Sequence, residues 1–152
     1  MPMWNPWRGC RKCSEGCRYC YIQKGDARRG VDTSQIVRTS DFDKPVRQLK
    51  KGGYKMKPGL VYLGFSTDFL IEEADPWRAD CWKMIRERQD CTFLFLTKRI
   101  ERFSQCIRKN VSFEFRQCGT HFIKDGRRYT LQTRDLCRQA RLAGINYTRK
   151  LP

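Results

Sequence analysis

Short apolar runs, separated by stretches of helical spacing, give the first outline of this chain. The runs LVYLGFS (60–66), CTFLFLT (91–97) and VSFEFR (111–116) read as strands. The first two are apolar at nearly every position, as in strands buried on both faces of a parallel sheet. The third alternates and suits a more exposed place. Between the first two, Asp75 is the expected N-cap of a helix and Pro76 its first residue, where the missing N–H costs nothing. Trp77, Cys81, Trp82 and Ile85 then share one apolar face. A second helix is expected from about Arg99 to Lys109, with Ile100, Phe103 and Ile107 together. The order β-α-β-α-β predicts an α/β core over 60–116.

The flanks carry weaker signals. CRYCYIQKGDARR (17–29) can start a helix, and Asp41 to Gly59 is polar, Lys-rich and broken by Gly52, Gly53 and Pro58, the mark of a loop with at most a short helix. HFIKDGRRYTL (121–131) predicts a hairpin about Asp125 and Gly126, since glycine takes the positive φ of a tight turn. Thr133 is the expected cap of a last helix, with Leu136, Ala140 and Ala143 on one side and Gly144 as its stop. A chain of 152 residues suits a single domain and is short for a closed α/β barrel. Its parts are the N-terminal segment 1–30, the core 60–116, and the hairpin and helix of 117–152.

Charge and cysteine content change this picture. Lys and Arg number 32 against 16 Asp and Glu, and from Lys98 to Pro152 there are fourteen basic and four acidic residues. Such an excess fits a polyanionic partner such as nucleic acid and equally fits a soluble basic surface. Of nine cysteines, four crowd between Cys10 and Cys20, while Cys81, Cys91, Cys106, Cys118 and Cys137 lie in apolar-periodic segments. That distribution favours a metal site plus buried thiols over a disulfide scaffold. The first residues hold no apolar signal region, and no apolar run reaches the ~18 residues of a membrane span. No membrane association and a reducing, cytoplasmic setting are therefore expected.

The cysteine loop CRKCSEGCRYCY (10–21) carries the strongest chemical signal, because four thiols this close can converge without long-range folding. Cys13, Cys17 and Cys20 form C-x3-C-x2-C with Tyr19 before the last cysteine, the spacing of radical S-adenosylmethionine (AdoMet) proteins. Three thiolates leave one iron of a 4Fe–4S cubane open to chelation by AdoMet, whereas four close the cluster into an electron carrier. Read as two CxxC pairs, Cys10, Cys13, Cys17 and Cys20 are instead a zinc set, although zinc ribbons separate their pairs by ~15–20 residues. Four reduced, unliganded thiols are the third reading. Arg8, Arg11, Lys12 and Arg18 surround the loop, where they favour thiolates or equally serve surface solubility.

Polar residues close the expected strands at one end: Ser66, Thr67 and Asp68 after the first, Thr97, Lys98 and Arg99 after the second, Arg116 and Gln117 after the third. The carboxyl edge of a parallel sheet is where ligands bind. Thr67 or Asp68 is placed to touch the amine or ribose of AdoMet, and Lys98 or Arg99 an anionic substrate; equally, such residues merely end buried strands. His121, the sole histidine, has no triad order around it. Trp4, Trp7, Tyr19 and Tyr21 flank the loop, either as a shield or as ordinary core. No phosphate-binding glycine motif is present.

The segments WNPWRGC (4–10), SEGCRYCY (14–21), FSTDF (65–69), TFLFLTKR (92–99) and QCGTHFIKDG (117–126) resemble a phage and bacterial radical-AdoMet-like family. It is the three-cysteine-motif family of the gene-product thirty-seven and sixty-eight type. The resemblance implies a partial (β/α) barrel, a 4Fe–4S cluster, AdoMet and an external electron donor or reductase; the substrate is unidentified, and the basic surface admits a nucleic-acid-linked one. It matches the three ligands to Cys10, Cys17 and Cys20, so Cys17 and Cys20 belong to both assignments and the first ligand lies between Cys10 and Cys13. Family members carry further strands and helices between the counterparts of Phe103 and Gln105. The resemblance thus implies an internal deletion near Phe103 and Ser104, leaving about four strands with a C-terminal hairpin and helix. A metal-stabilised basic nucleic-acid-binding module, or an inactive shortened member, is the alternative.

Overall fold

The computed structural model describes residues 2–14, 17–18, 20–106, 121–124, 127–135, 138 and 142. The chain forms two compact units, Met1–Arg108 and Lys109–Pro152. The first contains strands β1 (Met3–Trp4) and β2 (Trp7–Arg8), helix α1 (Tyr21–Arg28), strands β3 (Val37–Arg38) and β4 (Gly59–Leu63), helix α2 (Asp75–Glu87), strand β5 (Cys91–Phe95) and the single turn α3 (Phe103–Cys106). A parallel sheet runs in the order β1-β4-β5, with Trp4 opposite Leu63 and Leu63 opposite Phe95. Strands β2 and β3 form a separate antiparallel ribbon, Trp7 opposite Arg38. The mixed α/β class is therefore as the sequence predicts.

Both predicted strands of the described core exist but end early. β4 stops at Leu63 because Gly64 takes φ +70°, a left-handed turn that swings the next residues off the sheet edge. β5 stops at Phe95, and Thr97 and Lys98 are drawn aside by hydrogen bonds to Asp68. Val61 and Leu63 are fully buried, while Leu60, Tyr62 and most of β5 are only half-buried. Within the described residues the sheet is thus deeply covered on one face, not on both as its continuous apolar runs suggest.

Packing on that face is aromatic. Phe69 lies parallel to Trp7, with ring centres 5.3 Å apart, and meets Trp82 of α2 edge-on at 5.2 Å and Phe95 of β5 at 5.3 Å. Trp4 meets Phe93 edge-on. Trp4 and Trp7 are fully buried, so both belong to the core, whereas Tyr21 is exposed. Aromatic pairs of this kind add about 0.5–1.5 kcal/mol each beyond area burial.

Helix α2 begins one residue earlier than predicted. A 3-10 turn, Glu72–Ala74, runs straight into it, so Ala74 is the N-cap and Asp75 the first helical residue. Its buried residues are Arg78, Cys81, Trp82 and Met84, with Trp77 and Ile85 half-buried. Arg78 is inside because its guanidinium donates to the carbonyls of Phe69 and Ile71 and pairs with Asp75. The predicted helix over 99–109 is a 3-10 turn, Ile100–Arg102, followed by α3; residues 107–109 lie outside the described ones. Segment 41–59 is a loop with one 3-10 turn, Lys44–Val46.

In the second unit, β6 (His121–Lys124) pairs antiparallel with β7 (Arg127–Thr130), Lys124 opposite Arg127, the hairpin predicted from Asp125 and Gly126. A 3-10 turn, Thr133–Asp135, follows. The predicted strand over 111–116 and the helix positions Leu136, Ala140, Ala143 and Gly144 lie outside the described residues. Among the described residues no helix is long and apolar enough to cross a membrane.

Candidate functional site

The cysteine loop springs from the carboxyl edge of the parallel sheet. Gly9 follows β2 with φ +92°, and a Cβ there would stand 2.2 Å from the carbonyl oxygen of Gln35, so only glycine fits. Its own carbonyl accepts the hydroxyl of Thr67 at 2.5 Å, and the two residues form a parallel bridge. Cys10 N–H then donates to the carbonyl of Thr33 at 2.7 Å. The root of the loop is therefore held from both sides.

Beyond that root, Cys17 N–H donates to Ser14 O and Cys20 N–H to Cys17 O, tight turns that lead into α1. Cys17 is buried, Cys10 and Cys20 half-buried, Cys13 exposed. The Sγ atoms of Cys13 and Cys17 are 4.0 Å apart, and Ser14 Oγ lies 3.6 Å from Cys17 Sγ. Burial opposes ionisation of Cys17, yet hydrogen bonds from Cys13 and Ser14 outweigh it and bring its pKa down to about 7. Burial dominates at Cys13, pushed up to about 11, and at Cys10, also raised, although Arg99 pulls both the other way.

Arg99 is the hub. It is 3% exposed, and its guanidinium reaches Cys10 Sγ at 4.0 Å, the carbonyl of Arg11 at 3.0 Å, Asp68 Oδ2 at 3.3 Å and Glu72 Oε2 at 3.1 Å. Arg11 in turn pairs with Glu73. A permanent cation is thereby buried between a carboxylate and the thiol loop. The sequence offers Arg99 as an anion contact at a strand end; it points inward.

The other predicted residues at the strand ends divide into two groups. Asp68 is 5% exposed, and its Oδ1 accepts from Leu70 N–H at 2.9 Å and Thr97 Oγ1 at 2.8 Å. Its Oδ2 accepts from Lys98 N–H at 3.0 Å. With Arg99 added, the lone pairs of this carboxylate are taken up inside the fold. Thr97 Oγ1 also accepts from Arg99 N–H, and Thr67 is spent on Gly9. Asp68, Thr67 and Thr97 thus clamp the ends of β4 and β5 to the cysteine loop. Lys98 presents an exposed side chain, and Ser66 lines a cleft.

That cleft, of about 480 Å³, opens between α1 and the turn after β4 and is lined by Asn5, Tyr21, Asp26, Arg29, Phe65 and Ser66 among others. Tyr21 Oη donates to Phe65 O at 2.6 Å, and Ser66 N–H to Asn5 Oδ1 at 3.2 Å. A second cleft, of about 430 Å³, runs along the outer side of the loop past Cys10, Lys12, Gln23 and Ala27. Asp26 and Arg29 carry no sequence signal, and Asn5 has only its place in the segment WNPWRGC. Gly9 has a faint one, a glycine placed directly before the first cysteine of the loop.

The residues available to hold a metal or cluster are Cys10, Cys13, Cys17 and Cys20. Their chemistry fits: soft thiols on one loop beside a buried cation that favours the thiolate form. Their spacing is open, and among the described residues no three His, Cys, Asp or Glu side chains converge closely enough to hold a metal ion.

Comparison with curated proteins and with solved structures finds no match. Over residues 2–111 the chain matches the model of a family described as protein of unknown function, DUF5131, and it belongs to that family.

Proposed function

We propose that this chain is an iron–sulfur protein of the radical-AdoMet type, with a 4Fe–4S cluster ligated by Cys17, Cys20 and either Cys10 or Cys13. The observation that carries the reading is the thiol loop held by Thr67 and Arg99 against the carboxyl edge of a parallel sheet. This is the edge where parallel α/β folds bind ligands. Such a cluster would supply the electron for reductive cleavage of AdoMet to methionine and a 5′-deoxyadenosyl radical able to take a hydrogen atom from a substrate, with an external reductase or chemical donor as the source of that electron.

The chain's own residues bind, orient and exclude water. Arg99 offsets thiolate charge near Cys10, and Asp68 holds Arg99 in place. The cleft beside Ser66 and Tyr21 offers room for AdoMet, and the exposed Lys98 at the end of β5 is available to an anionic substrate. The β4-α2-β5 unit agrees with a shortened (β/α) barrel.

A zinc-stabilised module is the second reading, favoured by one distance. Thiolates at 2.3 Å on a tetrahedral zinc lie about 3.8 Å apart, close to the 4.0 Å between Cys13 and Cys17. Anaerobic reconstitution with iron and sulfide separates the two. About four irons per chain, with 5′-deoxyadenosine formed from AdoMet under dithionite, is the expected outcome. One tightly held zinc and no iron defeats the iron–sulfur reading. Cluster formation without AdoMet cleavage reduces the chain to an electron carrier or an inactive form.

A further inference from the structure

Between Lys44 and Pro58 the chain carries six basic residues and no acidic one. Lys44 and Arg47 are paired with Asp41 and Asp43. Lys50, Lys51, Lys55 and Lys57 are exposed, and none of them joins an ion pair among the described residues. They ride on a tight hairpin. Gln48 bridges Tyr54, Leu49 N–H donates to Gly53 O at 2.9 Å and Lys55 N–H to Arg47 O at 2.7 Å. Gly52 and Gly53 turn the tip with φ +85° and +78°, and nothing stands within 4 Å above either.

The stem is fixed from beneath. Arg88, fully buried at the end of α2, donates to the carbonyls of Pro45 and Met56 and pairs with Asp90. Its guanidinium lies 4.4 Å from the centre of the Tyr54 ring, whose hydroxyl donates to Glu87 at 2.7 Å. Four lysines are thus presented on a stem that is already ordered, which lowers the entropy cost of docking.

From this arrangement we propose that the hairpin Leu49–Lys57 docks on the sugar–phosphate backbone of double-helical nucleic acid. The charge pattern selects a dense polyanion. The hairpin's one aromatic ring, Tyr54, is half-buried, with Arg88 over one face and its hydroxyl tied to Glu87, which makes it a poor platform for stacking unpaired bases. Only Leu49 offers an apolar tip, too little for the second anchor that a polybasic segment needs to stay on a membrane. Phosphate contacts without base contacts position a duplex and do not read its sequence.

The hairpin enters β4 through Pro58 at the amino edge of the sheet, roughly 13 Å along the strand from the edge that roots the cysteine loop, at about 3.3 Å per residue. Docking there leaves that loop open. The inference is independent of any iron–sulfur chemistry.

The test is fluorescence anisotropy of the full chain on a 20-base-pair DNA duplex and on an RNA duplex of the same sequence, from 50 to 200 mM salt. Each neutralised phosphate contributes about −0.9 to the slope of log K against log salt. Lys50→Gln with Lys51→Gln therefore lowers the slope by about 1.8, a roughly 12-fold smaller loss of affinity across that range. DNA and RNA duplexes give the same change, because nothing in the hairpin reads bases. The same charge change placed on α2, Lys83→Gln with Arg86→Gln, leaves the slope nearer that of the unaltered chain. An unchanged slope in the hairpin variant, an equal drop from the α2 pair, or tighter binding to phosphatidylserine vesicles than to either duplex overturns the proposal. All four positions lie on the surface or at its margin, and circular dichroism melts confirm that each variant is folded.

Discussion

Asp68→Asn tests whether the strand-end carboxylate is a clamp or a ligand contact. Asparagine keeps the shape and the Oδ1 acceptor, so the bonds from Leu70 N–H and Thr97 Oγ1 survive. The second oxygen becomes an amide that faces Lys98 N–H and the Arg99 guanidinium, donor against donor on both sides. The Asp68 and Arg99 side chains are only 7% and 4% exposed, so the lost charge is not replaced by water. Removing one partner of a buried pair costs about 3–5 kcal/mol. Glu72, 3.1 Å from Arg99 Nε, still balances part of the charge, which places the expected loss near the lower end, about 3 kcal/mol. For a chain of this length that is a fall of roughly 6–12 °C in melting temperature. Urea denaturation of the metal-free chain is the assay. A paired variant, Asp68→Asn with Arg99→Met, loses less than the sum of the two singles by at least ~1 kcal/mol, because the residues are in contact. A loss below ~1 kcal/mol, with AdoMet binding abolished in the loaded protein, refutes the clamp and restores Asp68 as a cofactor contact.

Two further outcomes follow from the same region. Gly9→Ala meets both the cost of a left-handed conformation, about 1–2 kcal/mol, and the Gln35 carbonyl. Gly52→Ala has a similar φ and open space, so it meets only the first cost; equal urea midpoints for the two variants would count against the packing role of Gly9. Burial would push the Asp75 carboxyl up, but hydrogen bonds from Arg102 and Arg78 outweigh it and hold its pKa below the ordinary 3.8. A depressed folded-state pKa stabilises the fold above the unfolded value and is lost as pH falls through the folded one. Arg102→Met therefore raises the pH of acid unfolding followed by circular dichroism, and an unmoved midpoint would contradict the pairing.

Elements long enough to show a period were legible in the sequence. β4, β5, α2 and the hairpin of β6 and β7 fall where apolar spacing and turn residues put them. β1 was not, because Met3 and Trp4 are too few to show alternation and their place depends on pairing with Tyr62 and Leu63, some sixty residues away. Arg78, Arg88 and Arg99 look like surface cations, since arginine is rarely buried unless paired. Each donates to at least one backbone carbonyl, and such partners leave no mark on a side-chain pattern. The thiol loop needed no folding to be seen, whereas its buried cation needed the whole sheet.

The same reasoning explains why neighbouring residues at the strand ends have opposite fates. Ser66, Thr67 and Asp68 are consecutive and polar, and composition gives no ground to rank them. Gly64 does, because its positive φ begins a tight turn in which Thr67 N–H donates to Gly64 O. That turn brings Thr67 under the Gly9 carbonyl and Asp68 beneath the chain leaving β5, while Ser66 is left at the cleft. Lys98 contributes its backbone N–H to Asp68 and so keeps its charged side chain outside. Groups that look alike in sequence thus become clamp or contact according to one backbone turn. Ser66 and Tyr21 are thereby left facing the cleft, while Asp68 and Arg99 are spent on holding the loop.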